Sequence, residues 1–314
     1  MRVSVVICTY NRVESLRKTL VSLSSMKVEG GLCWEVLIVD NNSSDNTRIM
    51  VRAMCLGSLG NGRYIFEGKQ GLSHARNRGV QEARGEIISF LDDDVVVDKG
   101  WLVSVVAGFE QYDPMILGGR VLIDGNVQLP RWLSARHQGP LGGFDMGPIP
   151  IIAGTAGGGG VGIGANMSFN RKVFDQYGLF DLRLGRVGSK LGMGEETDLY
   201  RRVKGRGERC VYYPDAVVYQ VPLPERLKKS YFRRWYFRMG EWNAFTDQVN
   251  GGWSEPIRLF GVPRWMYRKA AADLLACAKA VLKGELAEIE ARKLDVMMFL
   301  GYFMYAQRTR RMFA

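Results

Sequence analysis

No Cys-x-x-Cys pair and no metal-type spacing occurs among the five cysteines of this chain, Cys8, Cys33, Cys55, Cys210 and Cys277. An odd, dispersed set argues against a disulfide framework and reads as reduced, mostly buried thiols in a reducing compartment. No run reaches the ~20 uninterrupted apolar residues that a membrane-spanning helix needs. The longest, 296–306, follows Asp295 and predicts a buried or interfacial helix. The opening MRVSVVICTYNR turns polar too quickly for a signal peptide and reads as a first strand. Internal repeats and nucleic-acid motifs are also missing.

What is present suffices for one large core, or one core with a small appendage: 314 residues, 46% of them hydrophobic. The net charge of +11 is unevenly placed, since residues 225–314 hold 17 Lys and Arg against 9 Asp and Glu. Such asymmetry points to an acidic partner, either nucleic acid or an anionic membrane surface.

Along the first hundred residues, apolar strands at 3–8, 34–39, 63–67 and 86–91 alternate with helical patterns at 12–25, 45–54 and 71–83. Strands separated by helices of this length predict βαβ units and an α/β fold with a mostly parallel sheet. Ligands bind such sheets at the carboxyl ends of the strands. Three of those ends are polar: Thr9-Tyr10-Asn11-Arg12, Asp40-Asn41-Asn42-Ser43 and Asp92-Asp93-Asp94. Three acids closing a buried strand repel one another unless a cation shares the site. A hard cation such as magnesium or manganese, which shares oxygen ligands with phosphates, suits them best. Taken alone, the triplet reads equally as a solvated acidic turn.

The stretch 130–164 is rich in Gly and Pro, with Gly157–Gly160 at its centre. It reads as a surface loop, and a loop of this length is often a substrate lid. A strand is expected at 165–169, a helix at 195–204 and a closing strand at 210–218. Beyond Pro224 the pattern is helical. On a helical wheel over 264–283, Tyr267, Ala271, Leu274, Leu275, Ala278, Val281 and Leu282 share one face, with Arg264, Arg268, Lys269, Lys279 and Lys283 set opposite. A basic amphipathic helix can lie in a membrane interface or dock on its own domain. The run 226–238, where basic residues alternate with Tyr231, Phe232, Trp235, Tyr236 and Phe237, tips the expectation towards the membrane.

Set in order, VVICTYNR, VLIVDNNSSDNT, GLSHARNRG, FLDDDV, GANMSFNR and GEETDLYRR resemble the family 2 glycosyltransferases, which have the GT-A fold. The resemblance covers roughly residues 1–220. It implies a nucleotide-sugar donor site drawn from Thr9, Tyr10, Asn11, Arg12, Glu14, Asp40, Asn42, Arg76, Asp92 and Asp93. Thr9 and Tyr10 would contact base and ribose. Asp40 would accept a pyrimidine imide N–H, a charge-assisted and therefore selective bond, although an Asx turn is its structural alternative. Glu14 reads equally as a nucleotide contact or a first-turn helix acid. Arg76 would approach the diphosphate or its flanking acid, while Arg78 reads as a solvated helix charge and His74 has no assigned role.

The D-x-D pattern implies Mg2+ or Mn2+ on Asp92 and Asp94, with Asp93 turned elsewhere because adjacent side chains on an extended segment face opposite ways. In GEETDLYRR the general base falls on Glu196, with Glu195 and Asp198 as alternatives or as helix-start acids favoured by the dipole. One departure stands out: Gln220 occupies the place after the last strand where several GT-A enzymes carry a metal-binding histidine, and His137 is no obvious substitute. The metal would then hold two protein carboxylates, diphosphate and water.

The expected organisation is a catalytic domain over 1–224, with a nucleotide-binding half to 98 and an acceptor half from 99, then a basic helical extension over 225–314. The expected activity is inverting transfer from a UDP- or dTDP-type sugar to a saccharide or lipid-linked acceptor, in bacterial polysaccharide or glycolipid assembly. The enzyme would be cytoplasmic, peripheral at the inner face of an anionic cell membrane, and would not bind nucleic acid. One alternative is a nucleotidyltransferase, which would usually show a glycine-rich loop after the first strand, where this chain has none. The other is a non-catalytic basic membrane- or nucleic-acid-binding protein, which would need no combination of Asp92, Asp94 and Glu196.

Overall fold

The computed structural model describes residues 2–28, 31–153, 160–187, 192–249 and 258–312. They form two compact units: 1–125 with 142–221, and 126–141 with 222–314. Segment 126–141, which lies inside the expected acceptor half, therefore belongs to the unit built by the C-terminal helices.

The first unit runs β1 (Val3–Thr9), α1 (Val13–Ser24), β2 (Trp34–Asp40), α2 (Thr47–Leu56), β3 (Gly62–Phe66), α3 (Leu72–Glu82) and β4 (Ile87–Leu91). It continues through β5 (Val95–Val97), α4 (Trp101–Tyr112), β6 (Ile116–Ile123), β7 (Ile151–Ile152), β8 (Asn166–Asn170), α5 (Lys172–Tyr177), α6 (Glu195–Lys204) and β9 (Cys210–Gln220). One sheet orders these strands β3-β2-β1-β4-β8-β6-β9-β5, with β7 on β9. β3, β2, β1 and β4 run parallel; β1, β2 and β4 carry the nearly continuous apolar sequences of strands buried on both faces, while β3 is the partly exposed edge. Alternation divides their side chains: Val3, Val5 and Ile7 enter one core cluster, while Val6, Leu37 and Val39 enter the other. Each fully buried aliphatic side chain contributes about 1.5–3 kcal/mol.

β8 is antiparallel to both β4 and β6. Its register pairs Ser89 with Ser168, whose hydroxyls bond each other at 2.8 Å in the core. Asn166 anchors this region. It accepts from the fully buried Trp101 indole at 2.9 Å and donates to the carbonyls of Ala216 and Arg120.

The stretch 130–164 is more ordered than a plain loop. It holds 3-10 turns at 135–137 and 139–141, the strand β7, and a bridge between Phe144 and Val121. Most of the glycine run, 157–159, lies outside the described residues.

The second unit contains α7 (Lys229–Val249), the hairpin strands β10 (Arg258–Leu259) and β11 (Val262–Pro263), α8 (Arg264–Lys283) and α9 (Leu286–Met312). No helix of the described residues is long and apolar enough to cross a membrane. α7 and α9 meet backbone to backbone. A Cβ on Gly240 would lie 1.9 Å from the Met298 carbonyl oxygen, and one on Gly301 1.9 Å from that of Phe237.

Two expectations for this unit change. In 226–238, Tyr231, Phe232 and Tyr236 are buried, and Trp132 packs edge-on against Phe232. Lys229 and Arg233 pair with Glu290 at 3.0 and 3.2 Å. On α8 the buried residues are Met266, Ala270, Asp273 and Ala280, so the apolar stripe through Leu275 and Leu282 faces outward and the basic residues border it.

Candidate active site

Because β1, β2 and β4 are parallel and in register, their carboxyl ends reach the same edge, with Thr9 opposite Asp40. The three polar strand ends therefore converge.

Arg12 ties two of them together. Its Nη1 lies 2.9 Å from Asp93 Oδ1 and 3.2 Å from Asp94 Oδ2. The Thr9 hydroxyl donates to Asp93 Oδ2 at 2.8 Å, and Gln220 Nε2 donates to Asp94 Oδ1 at 2.7 Å. Burial pushes the Asp93 carboxyl up to about 6; Arg12 opposes this and Asp94 adds to it. The expectation that Asp93 turns away is thus corrected. The chain leaves β4 after Leu91, and 93–94 form a turn, where strand alternation no longer operates. Asp92 is the most accessible of the three acids.

At the end of β2, Asp40 accepts from the Tyr64 hydroxyl at 2.8 Å and from the Ser43 N–H at 2.9 Å. The second bond is the Asx-type turn that the following Asn-Asn-Ser-Ser suggests. Tyr64 had no sequence signal as a site residue. Burial, then Asp40, pushes its hydroxyl up to about 12. Asn11, at φ +52, accepts from the Ser44 N–H at 2.8 Å and so joins the first two strand ends. Asn42, at φ +65, and Tyr10 are exposed beside them. Glu14 is an exposed acid in the first turn of α1, 3.9 Å from Arg17.

The second cluster joins α3 to α6. Arg76 Nη1 lies 2.5 Å from Glu195 Oε1 and 3.5 Å from Glu196 Oε2. Its guanidinium also stacks over Phe90 and Phe180, at 5.8 and 5.5 Å from the ring centres. Gly164 makes room, since a Cβ there would sit 2.1 Å from Arg76 Nη2. Burial, then Glu196, pushes Glu195 up to about 8 despite Arg76. Burial also works against Glu196, but Arg76 pulls it below the usual glutamate range. One guanidinium thus balances one of two adjacent carboxylates, and the ionised one, Glu196, has the more accessible side chain at 25%. Asp198 is engaged with Arg202 at 2.9 Å, and Arg78 with Glu82 at 2.8 Å.

Both clusters act on the partly buried Cys8. The Cys8 thiol is pushed up to about 12 by burial, lowered somewhat by Arg76, and raised further by Asp92, Asp93 and Glu195.

No group of three or more His, Cys, Asp or Glu side chains surrounds a common cation position among the described residues. The side chains that could ligate a cation here offer oxygens: those of Asp92 and Asp94, and Gln220 Oε1, which is buried and unpartnered. That set fits a hard divalent cation that keeps water and phosphate ligands of its own.

Residues 4–178 match the family model described as Glycosyl transferase family 2. The chain is 27% identical over 256 residues to the glucosyl-dolichyl phosphate glucuronosyltransferase of Haloferax volcanii, covering 79% of this chain and 77% of that protein. It is 27% identical over 243 residues to the succinoglycan biosynthesis protein ExoM of Rhizobium meliloti, covering 77% and 74%. Among solved structures, the mannosyltransferase PcManGT of Pyrobaculum calidifontis, in complex with GDP-Man and Mn2+, shares the fold. It has a TM-score of 0.58 and 20% identity, over 99% of this chain and 87% of that one.

Proposed function

The chain belongs to glycosyl transferase family 2, and on that premise we propose that it moves a sugar, with inversion, from a nucleotide diphosphate donor to an acceptor hydroxyl. The observation that carries the reading is Glu196, a partly accessible carboxylate at the start of α6 that Arg76 pulls below the usual glutamate range. In the proposed step Glu196 takes the acceptor proton. The freed oxygen attacks the anomeric carbon from the face opposite the diphosphate, and the nucleotide leaves with both electrons of the broken bond. No covalent intermediate is required. Asp92 and Asp94 would hold Mg2+ or Mn2+, which when bound neutralises charge on the leaving diphosphate.

Thr9, Tyr10, Asn11, Arg12, Asn42 and Asp92 are the proposed nucleotide contacts at the converging strand ends. Each Asp40 oxygen retains a lone pair for a pyrimidine imide N–H, which favours uridine or thymidine donors. A saccharide or lipid-linked acceptor at the inner face of an anionic membrane is supported by the dolichyl phosphate in one relative's name and by the basic excess over 225–314. The test is a screen of nucleotide sugars for metal-dependent release of free nucleotide, with NMR of the product anomer. Retention of configuration would reject the mechanism.

A further inference from the structure

Helix α8 turns its leucines to solvent. Leu274, Leu275, Val281 and Leu282 are 58%, 67%, 58% and 88% exposed, with Ala271 and Ala278 exposed among them. The unit is held together by the other face, where Met266, Ala270 and Ala280 are buried and Asp273 is met by Lys269 at 2.6 Å and Arg292 at 2.8 Å. The stripe is thus not used for packing within its own unit.

Charge says what covers it. Arg264, Arg268, Lys279 and Lys283 are exposed along the stripe and form no ion pair among the described residues. A second copy seated face to face would set these cations against their own counterparts, which is unfavourable. An anionic bilayer takes both features at once, with leucines in the acyl boundary and cations among the headgroups. At the helix start, Phe260 of the hairpin tip and Trp265 of the first turn of α8 add two aromatics, each 55% exposed. Phe260 sits at φ +51, uncommon for an aromatic residue, with its carbonyl held by Gln307 Nε2 at 2.6 Å.

We propose that the outward face of α8, with Phe260 and Trp265, seats this protein in the interface of an anionic lipid bilayer, with the helix lying in the membrane plane. This deepens the membrane reading above and assigns the contact to α8 rather than α7, where Tyr231, Phe232 and Tyr236 are buried.

Flotation of the full chain with phosphatidylcholine vesicles, with and without phosphatidylglycerol, tests the proposal. Binding is expected only to the anionic vesicles and should weaken as salt rises. Leu275→Glu with Leu282→Glu should reduce partitioning about 100-fold, from the loss of two leucine insertions. Both positions are exposed, so the thermal midpoint and nucleotide-sugar cleavage should be unchanged. Lys279→Glu with Lys283→Glu should abolish the preference for anionic lipid. Equal binding to neutral vesicles, or undiminished binding by the leucine variant, would overturn the proposal. So would a wild-type dimer in sedimentation that the leucine variant dissociates, since the stripe would then belong to a second copy. Flotation is read without sugar transfer, so failure of this surface and failure of the glycosyltransferase reading are seen separately.

Discussion

Arg76 and Glu195 stand 119 residues apart in sequence and meet at 2.5 Å, Nη1 to Oε1, with both side chains buried. Their pairing leaves Glu196, one residue on, as the more acidic and more accessible partner. Glu196→Gln should therefore leave nucleotide binding nearly intact while lowering turnover by roughly 10²–10⁴, the range of a positioned general base. Glu195→Gln should cost less, because it keeps the shape of a group that already retains its proton. Isothermal titration beside steady-state kinetics separates the two effects. A larger loss from Glu195→Gln or Asp198→Asn would move the base to that residue.

The same cluster sets a pH dependence of stability. The folded-state value of Glu195 lies above its ordinary 4.5, at about 8, so the folded protein holds a proton that the unfolded chain has released. Its contribution is complete below pH 4.5 and declines as pH rises towards 8. Glu196 is shifted downward, so its contribution is present above the ordinary glutamate range and lost on acidification. Urea denaturation at several pH values should show Glu195→Gln flattening the decline on the alkaline side. An unchanged slope would mean the proton sits elsewhere.

Arg12 is the fixed counter-charge of Asp93 and Asp94. Arg12→Met would leave two buried carboxylates poorly compensated and should cost about 3 kcal/mol, the lower end for a broken buried pair because Arg12 is partly exposed. Mg2+ or Mn2+ should restore part of that loss in thermal melts if the acids bind a cation. Asp94→Ala should remove metal-dependent nucleotide binding altogether, and chelation of the wild type should do the same.

In the second unit, Gly301→Ala would drive a Cβ to 1.9 Å from the Phe237 carbonyl oxygen and force α7 and α9 apart. The expected destabilisation is about 1–3 kcal/mol or more. Differential denaturation, with far-UV circular dichroism as the readout, should place the loss in the helices.

The strands and helices up to Leu91 are largely legible in the sequence, because the apolar runs of β1, β2 and β4 and the spacing of Leu16, Leu20 and Leu23 in α1 are local signals. The motifs that name the family are likewise local. So is the acid-led start of α6, which puts Glu195, Glu196 and Asp198 in its first turn. Tertiary structure decided the rest, for reasons of distance and of which side is covered. The antiparallel insertion of β8 and the placement of 126–141 with the C-terminal helices depend on partners remote in the chain, which local patterns cannot choose. Asp93 joins Arg12 because the chain turns after β4, and Glu196 differs from Glu195 through its greater exposure and through their shared contact with Arg76, contributed by α3. The wheel over 264–283 identified an apolar stripe but could not say which side of α8 its neighbours would cover. Met266, Ala270 and Ala280, grouped around a neutralised Asp273, took the inner side, and the leucines were left facing out.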